Sequence, residues 1–264
     1  MLTISQTLSS IKPKCALIPF VTAGYPSFDT TIKVLHILDK TGANVIELGI
    51  PYSDALADGR IIQESSRLAL EQSIYLEQVL DIIREVSPDL KSPIVIFTYY
   101  NLILSRGIDQ FIQDAYLSGA KGLIVPDLPL EEADYLIQVS SSYSVELILF
   151  VSPASSSSRI KSIIAKSPGC IYLVSSYGVT GPRSNIESNL QSLINNIKKN
   201  TNKCIMLGFG ISSEEQVAKV SRWNVDGIVI GSAFIDQIQR CEQDKNYNNL
   251  KLFCQKIKTA IVDH

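Results

Sequence analysis

The sequence is poor in residues that bind metals through imidazole or thiolate groups. Only two histidines occur, His36 inside a predicted helix and His264 at the end of the chain. The five cysteines are widely spread, and no two of them form a Cys-x-x-Cys pair. Their odd number suits neither a zinc site nor a disulfide framework. We therefore expect no metal site, and reduced thiols in a reducing compartment.

The sequence also lacks an excess of one charge and long apolar runs. The formal net charge is −2, and the only adjacent basic pair is Lys198-Lys199, so we expect no binding to nucleic acid or to an anionic membrane. No run reaches the roughly 18 apolar residues of a membrane span. The first residues resemble neither a signal peptide nor a transit peptide. We expect a chain that works in the cytoplasm, or in the plastid stroma if it is plastid-encoded.

Several catalytic signatures are absent. There is no Gly-x-Ser-x-Gly elbow, and no Gly-x-Gly-x-x-Gly follows the first predicted strand. No lysine lies within or at the end of a predicted strand, which disfavours a Schiff-base aldolase. The lysines nearest to strands precede them: Lys14, Lys91, Lys121 and Lys203. Carboxylates, hydroxyls and glycines remain, and they favour proton transfer on a phosphorylated substrate.

What the sequence does contain is eight short apolar runs that alternate with longer amphipathic segments. The predicted strands are residues 16–21, 45–49, 94–98, 122–125, 146–151, 171–174, 204–207 and 227–230. A parallel sheet that is covered on both faces requires such continuous runs. Eight strand–helix units favour a closed barrel over an open sheet. We predict an α/β fold, a (β/α)₈ TIM barrel that forms a single domain over residues 1–264, with an extra N-terminal helix.

Two apolar stripes and one capping pattern define helices between these strands. Phe28, Ile32, Leu35 and Leu38 predict one helix, and a second stripe runs over residues 76–86. Ser212 with Glu215 predicts a capping box at the start of the helix that follows the seventh strand.

Glu47 is the first candidate catalytic residue. Side-chain alternation places it opposite Ile46 and Leu48, near the C-terminal end of the second predicted strand. Catalytic residues of such barrels lie at that end. A buried carboxylate must either be paired with a charge or reach a cavity, so a buried ion pair is the alternative interpretation.

Two further carboxylates follow Glu47 in the loop of residues 51–59. Asp54 and Asp58 are candidates for an acid, a base or a hydrogen-bond acceptor, or they merely form turns and cap the next helix. Asp127 follows the fourth predicted strand. It is a candidate substrate ligand or the cap of a helix that begins near Leu130.

Glycines and aromatics cluster at the same predicted end of the barrel. Gly178 to Gly181, Gly208 to Gly210 and Gly231-Ser232 follow the last three strands, where barrels commonly bind phosphate through backbone N–H groups. Each pair alone is an ordinary turn. The aromatics Phe20, Tyr99, Tyr172 and Phe209 either pack in the core or together line a slot for a flat ring.

These residues lie in ordered blocks along which the sequence resembles the tryptophan synthase alpha chain family over nearly its whole length. The blocks are residues 19–26, 46–54, 56–59, 127–129, 178–181, 208–212 and 226–232. The resemblance implies cleavage of indole-3-glycerol phosphate to indole and glyceraldehyde 3-phosphate, with indole passed to a β subunit that makes tryptophan. It implies the same barrel fold and no cofactor in this chain, because pyridoxal phosphate belongs to the β chain.

The resemblance also implies roles for single residues. Glu47 matches the general acid/base, and Asp58 matches the carboxylate that holds the indole N–H. The implied substrate-binding residues are Phe20, Tyr99, Tyr172 and Phe209 around the ring, Gly181, Gly210, Gly231 and Ser232 around the phosphate, and Thr180 in a closing loop.

The resemblance implies a β-chain partner, in an α₂β₂ heterotetramer, with the loop around Asp54 at the coupling surface. Departures from the family pattern fall in that loop. Ala55 and Arg60 stand where the family usually has prolines, and Tyr52 replaces a phenylalanine. We therefore expect a more flexible loop.

Three other interpretations remain open at this point. Two are phosphate-binding barrel enzymes, a phosphoribosylanthranilate isomerase and an indole-glycerol-phosphate synthase. The synthase requires a catalytic lysine at a strand end, which is lacking here. The third is a silent barrel that only activates a β-type partner, against which the presence of Glu47 and Asp58 argues.

Overall fold

Eight parallel strands form a closed barrel in the computed structural model, which describes residues 2–12, 15–174, 183–208 and 210–262. The strands are β1 (Ala16–Thr22), β2 (Ile46–Gly49), β3 (Ile94–Phe97), β4 (Gly122–Ile124), β5 (Glu146–Val151), β6 (Cys170–Val174), β7 (Cys204–Gly208) and β8 (Gly227–Ile230). Each strand pairs with the next in the chain, and β1 closes the ring by pairing with β8.

Helices connect the strands and cover the outside of the barrel. They are α1 (Ile4–Ile11), α2 (Phe28–Thr41), α3 (Arg60–Glu71), α4 (Leu76–Val86), α5 (Tyr100–Arg106), α6 (Ile108–Ser118), α7 (Ala133–Ser142), α8 (Ser157–Lys166), α9 (Arg183–Asn200), α10 (Glu214–Val220), α11 (Ser232–Asp244) and α12 (Asn248–Val262). Helix α1 precedes β1, so the predicted TIM barrel with an extra N-terminal helix is confirmed.

All eight predicted strands are present, and each of their ends lies within one residue of the prediction. The apolar runs were reliable because both faces of a barrel strand are buried, one by the interior and one by helices. The helices predicted from the apolar stripes are α2 and α4, with Leu35, Leu38, Val79 and Ile83 buried.

The predicted capping box before α10 is wrong by one residue. Ser213, not Ser212, is the N-cap, and its hydroxyl accepts a hydrogen bond from the backbone N–H of Gln216 at 3.3 Å. The Gln216 side chain accepts in turn from the backbone N–H of Ser212 at 2.9 Å. Glutamine serves as well as glutamate at the third helical position. The sequence was therefore compatible with an N-cap at either serine.

Helix α1 closes the N-terminal end of the barrel. Its apolar side chains Ile4 and Leu8 are fully buried. At the start of β5 the buried carboxylate of Glu146 accepts hydrogen bonds from the backbone N–H of Ser5 at 2.9 Å and from the Ser5 hydroxyl at 2.8 Å. The loops that follow the strands lie at the opposite end of the barrel.

The hydrogen bonds of Ser5 predict a stability effect. Replacing Ser5 with alanine removes the hydroxyl donor to a buried carboxylate, which costs about 1–3 kcal/mol of the free energy of unfolding. Urea unfolding of Ser5→Ala measures that loss. Ser10→Ala is the control, because its exposed hydroxyl donates to the Thr7 carbonyl of the same helix. Equal unfolding midpoints for the two variants would contradict the role of Ser5.

Candidate active site

Glu47 lies inside the barrel, near the C-terminal end of β2. Its neighbours in register are Phe20 on β1 and Val95 on β3, and its own exposure is 1 %. Burial, and then the negative charge of Asp58, raise the pKa of Glu47 to about 8. The carboxyl group is therefore protonated at neutral pH and able to donate a proton.

The alternative interpretation of Glu47 as half of a buried ion pair is not supported. Within the described residues no cation pairs with its carboxyl group, and its Oε2 atom has no hydrogen-bond partner. A buried polar atom without a partner is unusual in a core and is common where a ligand binds. The geometry favours a group that faces a substrate.

Asp58 approaches the same end of the barrel from the loop that follows β2. The Tyr99 hydroxyl donates a hydrogen bond to its Oδ2 atom at 2.8 Å and accepts one from the backbone N–H of Ala57 at 3.1 Å. Burial raises the pKa of Asp58 to about 6, although the hydrogen bond from Tyr99 opposes that rise. At neutral pH the Asp58 carboxylate is mostly ionised.

The loop separates its two aspartates. Asp54 is exposed, and its carboxylate accepts a hydrogen bond only from the neighbouring Ser53 hydroxyl at 3.2 Å among the described contacts. Ala55 is buried, whereas Leu56 next to it is exposed. Asp58 therefore belongs to the candidate site, and Asp54 belongs to the outer surface of the loop.

Aromatic rings stand beside the two carboxylates. Phe97 makes edge-to-face contacts with Phe20 at 5.7 Å and with Tyr99 at 6.2 Å between ring centroids, and Tyr52 stacks on Tyr99 at 4.9 Å. Edge-to-face and stacked geometries of this kind form the walls of sites for flat rings. Phe20 is accommodated by Gly49, where an added Cβ atom would lie 2.6 Å from the end of its ring.

Tyr172 occupies the barrel interior close to both carboxylates. Burial and the charges of Glu47 and Asp58 raise the pKa of its hydroxyl well above the ordinary value. Its ring contacts Phe150 at 4.7 Å, and a Cβ atom on Gly208 would lie 2.5 Å from its hydroxyl. A glycine is therefore required at the end of β7 for this ring to lie in the site.

The predicted phosphate residues lie where β7 and β8 end. Gly231 is the N-cap of α11 and Ser232 is its first residue, and Gly231 has no side chain with which to cap this end of the helix. A helix N-terminus of this kind attracts anions. A Cβ atom on Gly231 would lie 3.7 Å from Phe20, so this helix end adjoins the aromatic residues. Gly210 is exposed after β7, and a Cβ atom added to it would meet none of the described atoms within 4 Å.

Three predicted site residues, Thr180, Gly181 and Phe209, lie outside the described residues. Asp127 is described, and its Oδ1 atom accepts a hydrogen bond from the backbone N–H of Tyr100 at 2.8 Å. Asp127 thus contacts the start of α5. The alternative interpretation, in which it caps a helix near Leu130, is wrong, since that short helix has Pro129 as its N-cap and no side-chain cap hydrogen bond there.

Two aromatic residues of the site, Phe97 and Phe150, were missed by the sequence analysis. Phe97 lies two residues after Val95 in a strand, so side-chain alternation places it on the interior face. That signal was present, but an aromatic residue in a strand usually belongs to the core, so it did not identify Phe97 as a site residue.

Neither a metal centre nor a membrane span is found in the described part of the chain. No group of three or more histidine, cysteine, aspartate or glutamate residues there is arranged to hold a metal ion. Among the same residues, every helix is too short or too polar to span a bilayer.

The chain matches a family model described as tryptophan synthase alpha chain over residues 7–262. It is 58 % identical over 261 residues to the tryptophan synthase alpha chain of Gracilaria tenuistipitata var. liui, covering 99 % of this chain and 97 % of that relative. It is 54 % identical to that of Antithamnion sp., covering 98 % of each.

A solved structure agrees with these sequence matches. Tryptophan synthase subunit alpha from Legionella pneumophila str. Paris superposes with a TM-score of 0.89 and 32 % identity, covering 100 % of both chains. The family model and the relatives each span nearly the whole sequence, so the chain belongs to the tryptophan synthase alpha chain family.

Proposed function

We propose that Glu47 and Asp58 are the catalytic pair of this chain, in the lyase reaction of its family. As a tryptophan synthase alpha chain it cleaves indole-3-glycerol phosphate to indole and glyceraldehyde 3-phosphate, and passes indole to a β subunit. One observation carries the assignment of residues. Two carboxyl groups lie beside an aromatic cluster, and their environments make one neutral and the other ionised at neutral pH.

Glu47 acts first as the acid and then as the base. Its proton goes to the indole carbon that carries the glycerol chain, which makes the ring a good leaving group. The resulting carboxylate then takes the proton of the neighbouring glycerol hydroxyl, while the carbon–carbon bond breaks and its electrons return to the ring. Glu47 is protonated again at the end. A raised pKa suits a group that must both give and take a proton near neutral pH.

Asp58 acts by charge. Protonation of the ring carbon places positive charge on the indole nitrogen, and an ionised carboxylate that accepts the N–H hydrogen bond stabilises it. Tyr99 supports this role because its hydroxyl holds Asp58 and opposes the rise in its pKa. An aspartate kept neutral could not provide this stabilisation.

The remaining predicted residues bind the substrate at its two ends. Phe20, Tyr99 and Tyr172 hold the ring together with Phe209. Gly210, Gly231 and Ser232 hold the phosphate together with Gly181, and Thr180 and Asp127 are further substrate-binding residues. The open N-terminus of α11 supports the placement of the phosphate.

The partner of the chain is a tryptophan synthase β chain, in an α₂β₂ heterotetramer. Pyridoxal phosphate belongs to that chain, and the chemistry proposed for this one uses only carboxyl groups. The sequence relatives include red algal and cyanobacterial chains, which supports work in the plastid stroma or the cytoplasm. The 264 residues serve as one domain.

The rival enzymes fit less well. An indole-glycerol-phosphate synthase needs a catalytic lysine at a strand end, and none of the eight strands contains a lysine. Family membership separates the chain from the isomerase. A barrel without catalytic activity would not require a buried carboxyl group that lacks a partner, and Glu47 is such a group.

Glu47→Gln removes the proton donor while keeping the shape of the side chain. We expect indole release from indole-3-glycerol phosphate to fall by about 10²–10⁴-fold, the usual contribution of an acid–base group. Glu146→Gln is the matched control, because Glu146 is also a buried strand carboxylate but lies at the opposite end of the barrel. A near-normal rate in Glu47→Gln, measured with and without a β chain, would refute the assignment.

The two pKa values predict a bell-shaped pH profile. The active form has Asp58 ionised and Glu47 protonated. The value of kcat/KM should therefore rise as pH increases through about 6 and fall as it increases through about 8. Steady-state indole release across both limbs measures this profile. A profile without an alkaline limb would exclude Glu47 as the acid.

Tyr99→Phe keeps the ring but removes the hydrogen bond to Asp58. The pKa of Asp58 then rises, and the acidic limb of the profile should move to higher pH. Tyr135→Phe is the control, because Tyr135 donates a similar hydrogen bond to Asp109 at 2.7 Å on the outer surface. An unchanged acidic limb in Tyr99→Phe would show that this hydroxyl does not set the state of Asp58.

A further inference from the structure

Gln63 connects helix α3 to the loop that carries Asp58. Its side-chain Nε2 atom donates hydrogen bonds to the backbone carbonyl of Ala55 and to that of Asp58, both at 3.0 Å. Its own backbone N–H donates to the carbonyl of Gly59 at 3.0 Å, as part of the first turn of α3. One residue of a regular helix thus bonds to three carbonyls of the preceding loop.

The loop of residues 51–59 has few hydrogen bonds of its own. The backbone N–H of Leu56 donates to the backbone carbonyl of Asp54 at 2.7 Å, and that of Asp58 donates to the backbone carbonyl of Ala55 at 3.1 Å. Gly59, the N-cap of α3, offers no side chain to hold the helix start. Two short turns do not define the position of a nine-residue loop, so its conformation depends on contacts with other elements.

Two side chains hold the part of the loop around Ala57 from opposite sides. Tyr99, after β3, bonds to the Ala57 N–H and to the Asp58 carboxylate, while Gln63 bonds to carbonyls on either side of Ala57. Tyr99 donates a hydrogen bond to the carboxylate itself, whereas the Gln63 side chain donates to backbone carbonyls. The position of the carboxylate therefore follows from where Gln63 holds the peptide groups beside it.

We propose that Gln63 is a positioning residue for the cleavage reaction, which acts by holding the Asp58 backbone where its carboxylate meets Tyr99. This inference rests on the proposed role of Asp58. Without the amide donors the loop relaxes away from α3, the Tyr99–Asp58 hydrogen bond is lost for part of the time, and the carboxylate no longer faces the ring nitrogen. A misplacement of about 1 Å costs an enzyme up to about a hundredfold in rate.

The test compares two glutamines near the two ends of helix α3. Gln63→Met keeps the length of the side chain and adds no charge, but it has no donor. Gln72→Met is the matched control. Gln72 ends the same helix, is also exposed, and also donates to two carbonyls, those of Pro26 at 2.7 Å and Leu68 at 3.2 Å, away from the Asp58 loop.

We expect Gln63→Met to lower kcat/KM about ten- to a hundredfold and to move the acidic limb to higher pH, as Tyr99→Phe does. Gln72→Met should retain the wild-type rate and profile. Gln63→Asn, which keeps the amide on a chain one methylene shorter, should show the same defect because it cannot reach both carbonyls. Thermal unfolding of each variant identifies any loss of fold.

A double-mutant cycle separates positioning from a general structural effect. If Gln63 acts through the Tyr99–Asp58 contact, Gln63→Met costs much less in a Tyr99→Phe background than in the wild type. Equal costs in both backgrounds, or equal activities of Gln63→Met and Gln72→Met, would overturn the proposal. Wild-type indole release is measured alongside, so that a failure of the proposed function is distinguishable from a failure of this inference.

Discussion

The burial of the Glu47 carboxyl group without a counter-charge is the constraint on which the site depends. An ionised carboxylate is costly in a barrel interior unless a cation or several donors compensate it. Within the described residues no cation faces Glu47, so the group remains neutral and retains its proton. The interior around it is therefore free to hold aromatic rings instead of charges, and a flat, apolar substrate group can approach an acid directly.

A second carboxyl group, that of Asp58, has a different protonation state, so the arrangement combines a proton donor with an anion. Glu47 lies in β2 and Asp58 in the loop directly after it, so one strand–loop unit provides both groups. Asp58 is less deeply buried and accepts a hydrogen bond from Tyr99, which keeps its pKa below that of Glu47. Their different environments, rather than their residue types, make Glu47 the acid and Asp58 the anion.

The strands of this protein were predictable from sequence because a barrel strand is covered on both faces. Its residues therefore form a continuous apolar run with clear ends. The carboxylates were readable because Glu47 interrupts such a run and Asp58 follows it in a long loop. Details that depend on neighbouring elements were less accessible. Asp127 bonds to the start of α5 rather than to the helix after it, and Ser213 rather than Ser212 caps α10.

Sequence periodicity and the spacing of motif blocks were sufficient to predict the barrel, the end of it that carries the candidate site, and the two candidate carboxyl groups. They could not show which contacts set the protonation of those groups. That depended on Tyr99, which is 41 residues from Asp58 in the chain, and on the absence of a cation near Glu47 among the described residues. Burial and electrostatic contacts join residues that are distant in sequence, so only the closed barrel decides them.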